Sequence, residues 1–119
     1  MTGFPRSVRL LRPAEFKRVI SEGRKRRSSS FTAFEHAGQG DGAKFGITVS
    51  RKAMPRSVDR NRFKRIARES FRAAMPLPSC DVVIMAAHGA RTIDRRQLAT
   101  ELQEYWRRLR ERWPASSSS

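Results

Sequence analysis

Arg60, Asn61 and Arg62 stand at the head of a segment that continues with Lys64, Arg65 and Arg68, and a second basic group, Arg51, Lys52 and Arg56, comes just before it. Guanidinium groups offer planar forks of N–H donors that match phosphate oxygens two at a time, and an asparagine amide adds a donor and an acceptor. The chemistry these residues support is phosphate gripping rather than bond cleavage. A metal-dependent nuclease needs clustered carboxylates to hold Mg²⁺ and orient water, whereas the eleven acids here are scattered, with Asp59 and Asp81 on segments otherwise basic or apolar. His36 and His88 fall at a strand end and in a remote turn, so an acid–base pair is hard to assemble from them. Cys80 is the only cysteine, which leaves no disulfide framework and no zinc knuckle. As a lone thiol it is expected to be an inert, buried hydrophobe. No catalytic residue and no protein-bound metal or cofactor is therefore expected.

The formal net charge is +15 over 119 residues, mostly from arginine. Self-repulsion of that size disfavours a compact chain unless a polyanion offsets it, so nucleic acid is the first partner to consider. A membrane surface fits less well. No apolar run approaches the ~20 residues of a spanning helix, and Met1 to Leu11 contains no apolar stretch of a secretory signal. A cytoplasmic location is expected. The length suits one domain with one core, assigned to residues 1–113, and residues 114–119, a proline followed by a serine-rich tail, are expected to be disordered.

The elements that must position the basic residues follow from periodicity. Pro13 opens a short helix carrying Phe16, Val19 and Ile20, which Gly23 ends. A strand is expected over Phe31 to His36 and another over Phe45 to Val49, paired as a hairpin around the turn Gly38 to Gly42, with a weaker strand before Phe31. Ser57 is placed to cap a second helix that runs to about Met75, because Pro76 and Pro78 forbid continuation. Val82 to Ala87 is continuously apolar, the mark of a central strand buried on both faces. Asp94 can cap a closing helix in which Leu98, Leu102, Tyr105, Trp106 and Leu109 form one apolar stripe.

On the second helix, Phe63, Ile66, Ala67, Ser70 and Ala74 fall on one side, with Phe71 at its margin. Asn61, Lys64, Arg65, Arg68 and Arg72 fall on the other, while Arg60 and Arg62 flank the apolar side in the first turn. Ordinary solvated helix faces mix signs and gain i, i+4 pairs; Lys64, Arg68 and Arg72 instead stack like charge, which suggests a partner that removes the repulsion.

The stretch from Lys44 to Arg72, KFGITVSRKAMPRSVDRNRFKRIARESFR, resembles the signature of the bacterial ribonuclease P protein component: strand, basic turn, then a helix headed Arg-Asn-Arg. The resemblance extends to the leucine, proline, acidic and phenylalanine pattern of Leu11 to Phe16, the strand DVVIMA at Asp81 to Ala86, and Tyr105-Trp106-Arg107-Arg108 in the final helix. It implies an α+β fold, a two-layer sandwich of a small mixed sheet with three helices in the order α-β-β-β-α-β-α. The β-α-β crossover at the second helix is implied to be left-handed, against the common rule, as in the second domain of a small-subunit ribosomal protein. The implied function is that of a protein subunit that binds a catalytic RNA and the 5′ leader of precursor tRNA, with the RNA carrying the active site and its Mg²⁺ ions. Arg51, Lys52, Arg56, Arg60, Asn61, Arg62, Lys64, Arg65 and Arg68 would contact the catalytic RNA, and Phe16, Ile20, Phe34 and Thr48 the leader. No membrane and no obligate protein partner is implied, and the chain is taken as a monomer.

Taken without the resemblance, Phe16 and Ile20 at helical spacing suit an ordinary core better than a stacking site for bases. Two departures from the family pattern stand out. Ala87 and His88 occupy a turn where members often carry a basic pair, and Ile20 stands where an aromatic residue is common. Two other functions remain open on sequence alone: a ribosome-associated or RNA-chaperone module with the same charge, and a self-sufficient nuclease, against which the scattered acids count.

Overall fold

The computed structural model describes residues 9–10, 12–38, 43–88 and 94–113. Its elements are β1 (Arg9–Leu10), α1 (Pro13–Glu22), β2 (Arg24–Arg27), β3 (Phe31–Ala37), β4 (Lys44–Thr48), α2 (Ser57–Ala74), β5 (Cys80–Ala86) and α3 (Arg95–Arg112). The five strands form one mixed sheet in the order β1-β4-β5-β3-β2. The α+β class and the three helices are as expected, with the two-residue β1 added at the edge beside β4. The serine-rich tail and most of the Gly38 to Gly42 turn lie outside the described residues.

The expected hairpin between β3 and β4 does not form. β5 lies between them, antiparallel to β3 and parallel to β4. The reason is its composition: Cys80, Val82, Val83 and Ile84 have no exposed surface, and only the centre of the sheet covers both faces of such a strand. The chain must therefore cross from β4 to its parallel neighbour β5, and α2 makes that crossover. At the other edge, β2 is the tetrapeptide Arg24-Lys25-Arg26-Arg27, whose charges discourage pairing with a further strand.

Helices cover both sheet faces, so a partial third layer is added to the two-layer arrangement expected. Phe31, Ala33, Phe45, Val82 and Ile84 face α2 and α3 in the main core. Phe34 and Val83, one residue out of phase, face α1 and pack with Val19, Phe16, Ile20 and Met85. Strand alternation makes both faces possible, because β3 and β5 are apolar at odd and even positions alike.

The main core is built on aromatic contacts. Phe45 stacks on Phe71 with centroids 4.3 Å apart, and Trp106 meets both edge-on at 6.0 and 5.4 Å. Phe71, expected at the margin of the helix face, is fully buried because Phe45 and Trp106 close over it. Trp106 keeps its indole N–H satisfied by donating to Ser70 Oγ at 2.9 Å. α2 and α3 thus lie side by side in the same direction, with Arg110 donating to the Ala74 carbonyl four residues beyond the Trp106–Ser70 contact.

Candidate nucleic-acid interface

The connection that leads into α2 is anchored from beneath. Ala53 and Met54 are each only 3 % exposed, and their N–H groups donate to Ser50 Oγ and the Ser50 carbonyl at 3.0 Å. With its inner residues pinned in this way, the loop presents Arg51, Lys52 and Arg56 outward, all three exposed. The residue capping α2 is Arg56 rather than Ser57, which becomes the first helical residue; the Arg56 carbonyl accepts from Asp59 and Arg60 N–H. Asp59 lies in the first turn as expected, where the helix dipole favours an anion.

Arg60 has a local task. Its Nη1 donates to the carbonyls of Met54 at 2.9 Å and Pro55 at 2.8 Å, which ties the basic loop to the helix it precedes. Asn61, Arg62, Arg65 and Arg68 are exposed and Lys64 is half-buried, outside the buried stripe of Phe63, Ile66, Ala67 and Phe71, with Arg62 on its flank. Arg62, Lys64, Arg65 and Arg68 form no ion pair among the described residues. Ion pairs of the described residues lie on other elements: Lys44–Glu15 at 2.8 Å, His36–Glu22 at 3.4 Å, Arg107 and Arg108 with Glu104, Arg107 with Glu111, and Arg26 and Arg112 with Glu35. With only Asp59 and Glu69 as acids, α2 keeps a cationic balance.

The other proposed site gathers on the opposite sheet face. Phe16, Ile20 and Phe34 join one apolar cluster, and Thr48 pairs with Met85, which packs against it. Phe34 is only 6 % exposed, beneath α1 and with Lys25 Nζ 5.7 Å from its ring centre. Phe16, Ile20, Thr48 and Met85 keep partial exposure. Phe16 lies directly over Gly46, where an added Cβ would come 2.4 Å from its ring. We expect Gly46→Ala to push Phe16 off the sheet and to lower stability by about 1–3 kcal/mol, the usual cost of overpacking. A thermal melt unchanged from the parent protein would show that α1 is not held there.

Strand β2 contributes residues to this face that sequence reading did not single out. Lys25 pairs with Phe34 and Arg27 with Thr32, so two exposed cations border the aromatic cluster. The signal was present as the run of four cations in Arg24–Arg27, but it has meaning only once β2 is known to be an edge strand beside β3.

A polar patch lies where β3, β5 and β4 bring His36, Asp81 and Lys44 side by side. Asp81 pairs across the sheet with His36 and Lys44; His36 stands 3.4 Å from Glu22, and Lys44 binds Glu15. Burial pushes the Asp81 carboxyl above its ordinary pKa, and the charge of Glu15 adds to this against Lys44, His36 and Arg18. Glu15 moves the other way, held low by its hydrogen bonds from Lys44 and the Arg12 N–H. Cys80 is buried and its pKa is pushed up to about 12, first by desolvation and then by the charge of Glu35, so it carries no reactive thiolate. His88 is an exposed turn residue. Among the described residues, no three His, Cys, Asp or Glu side chains are placed to hold a metal ion, and no helix is long and apolar enough to cross a membrane.

An α+β domain with a cationic helix on one side of its sheet and an apolar face bordered by cations on the other belongs to the class of small nucleic-acid-binding domains. A family model described as Ribonuclease P matches residues 4–110. The chain is 40 % identical over 108 residues to the ribonuclease P protein component of Thioalkalivibrio sulfidiphilus, covering 90 % of each chain. It is 37 % identical over 114 residues to that of Yersinia enterocolitica, covering 95 % of this chain and 96 % of the relative. The chain belongs to the ribonuclease P protein family. Solved structures agree in fold: the Staphylococcus aureus RNase P protein superposes with a TM-score of 0.74 at 24 % identity, covering 84 % of this chain and 92 % of its own. The Thermotoga maritima protein gives 0.71 at 24 % identity, covering 82 % and 94 %.

Proposed function

We infer that this chain is the RNA-docking subunit of an endoribonuclease that matures the 5′ end of tRNA, and that its two sheet faces divide the work. α2 and its leading connection, with Arg51, Lys52, Arg56, Asn61, Arg62, Lys64, Arg65 and Arg68 as contacts and Arg60 as the brace, grip the phosphates of the catalytic RNA. The α1 face, with Phe16, Ile20 and Thr48 above a buried Phe34, meets the single-stranded leader of precursor tRNA. Mg²⁺ is held by the RNA, which carries the reaction, and the particle works in the cytoplasm with this chain as a monomer. The observation that carries the reading is that Arg62, Lys64, Arg65 and Arg68 of α2 form no ion pair among the described residues, whereas Arg107, Arg108 and Arg112 near the end of α3 are paired with acids.

Structure alone would also suit a ribosome-associated or chaperone module, and family membership favours the first reading. Adding the purified protein to the catalytic RNA and precursor tRNA should raise 5′ cleavage at limiting magnesium. The reading fails if cleavage is unchanged, or if the protein freed of RNA cuts the precursor by itself.

A further inference from the structure

A groove of about 640 Å³ opens between the N-terminal turns of α2 and α3, a volume in the range of small-ligand sites. Its floor is the edge of the main core, formed by Met54, Phe63, Ile66 and Leu98. Its walls carry Arg62 and Arg65 from α2 and Arg95 and Arg96 from α3. Because the two helices run in the same direction, both positive dipole ends lie at this groove and add to the arginines.

The acids present do not cancel that charge. Asp59 and Asp94 also line the groove, but they are two against four, and Asp94 Oδ1 is occupied in accepting the Gln97 N–H at 2.7 Å. α3 itself provides the comparison. Its later arginines are engaged, Arg107 and Arg108 with Glu104, Arg110 with the Ala74 carbonyl and Arg112 with Glu35. Arg95 and Arg96, both exposed, form no ion pair among the described residues.

We propose that this groove receives an unpaired nucleotide of the RNA bound to α2, with its phosphate on the four arginines and its base over the apolar floor between guanidinium planes. A bare phosphate would leave the groove above these largely buried side chains unfilled, and a purely apolar ligand would leave the arginines unpaired. A nucleotide satisfies both, since RNA recognition by proteins relies on splayed bases stacked on flat side chains, arginine included. α3 thereby becomes a second wall of the RNA interface. The proposal rests on the reading that α2 faces RNA, and the test separates the two.

The full-length protein is titrated with a single-stranded uridine pentamer and with the same pentamer lacking bases, while methyl resonances of Met54, Ile66 and Leu98 are followed. The uridine pentamer is expected to shift these methyls and the abasic one to leave them in place. In a parallel titration, R95A/R96A should lower the slope of log affinity against log salt by up to about 0.7, the value for one phosphate contact on a single strand. Equal methyl shifts with both pentamers, or none with either, overturn the groove. If K64A/R68A lowers the slope and R95A/R96A does not, the groove falls and the α2 reading stands; if neither does, both fall.

Discussion

Replacing Lys64 and Arg68 with alanine should weaken binding to the catalytic RNA on the order of fifty- to hundredfold at 0.1 M salt, with a salt slope about two smaller. The magnitude follows from counterion release: each neutralised phosphate contributes nearly one unit of slope, and two contacts referred to 1 M salt are worth close to two powers of ten. The fold should not suffer. The two side chains lie four residues apart on one helix and repel each other, and neither joins an ion pair among the described residues, so their removal relieves the helix slightly. The control is Arg107→Ala with Arg108→Ala, which removes the same charge from side chains already paired with Glu104 and Glu111. Filter binding across a salt series decides the matter. Equal losses from both pairs would mean that net charge alone drives association and that α2 is no docking face.

The cationic face was legible in the sequence because helix periodicity and charge are both local properties. Phe63, Ile66 and Ala67 on one side place Lys64, Arg65 and Arg68 on the other without knowledge of anything else in the chain. Non-local pairings were not legible. The hairpin expected between β3 and β4 has the correct strands and a suitable turn, but the fate of that pair is decided by β5, more than thirty residues downstream, which needs both faces covered. Arg60 shows a third case. Its type and place suggested phosphate, and the structure also gives its Nη1 the Met54 and Pro55 carbonyls, a contact that depends on the path of a loop. The α1 face is intermediate: Phe16, Ile20 and Phe34 do come together, but Phe34 lies beneath the helix, so its first contribution is to hold α1 in place.

Glu35 was invisible to sequence reading and should matter most to stability. Its place in β3 is set by alternation with Phe31 and Ala33, which carries its side chain into the main core with no exposed surface. There it accepts from Tyr105 Oη at 2.7 Å, from Trp113 Nε1 at 2.9 Å and from the Arg112 guanidinium, with Arg26 Nε at 3.7 Å. One carboxylate thus ties the end of α3 to β3. Burial alone would raise its pKa, but the hydrogen bonds from Arg112, Tyr105 and Trp113 outweigh that and hold it below the ordinary carboxylate value. A lowered folded pKa means that the stability Glu35 contributes is present above the unfolded value and is lost as pH falls through the folded one. Glu35→Ala should cost about 3–5 kcal/mol, because it leaves a guanidinium, a hydroxyl and an indole N–H without their acceptor. Glu35→Gln keeps the volume and should cost less, but its stability should fall less steeply with acid than that of the parent, leaving Glu15, Glu101 and Glu104 to supply the remaining slope. Denaturant melts from pH 7 down to pH 3 measure both effects. If Glu35→Gln and the parent lose stability in parallel over that range, the carboxylate is not the ionised centre of this network, and α3 is held by its apolar stripe alone.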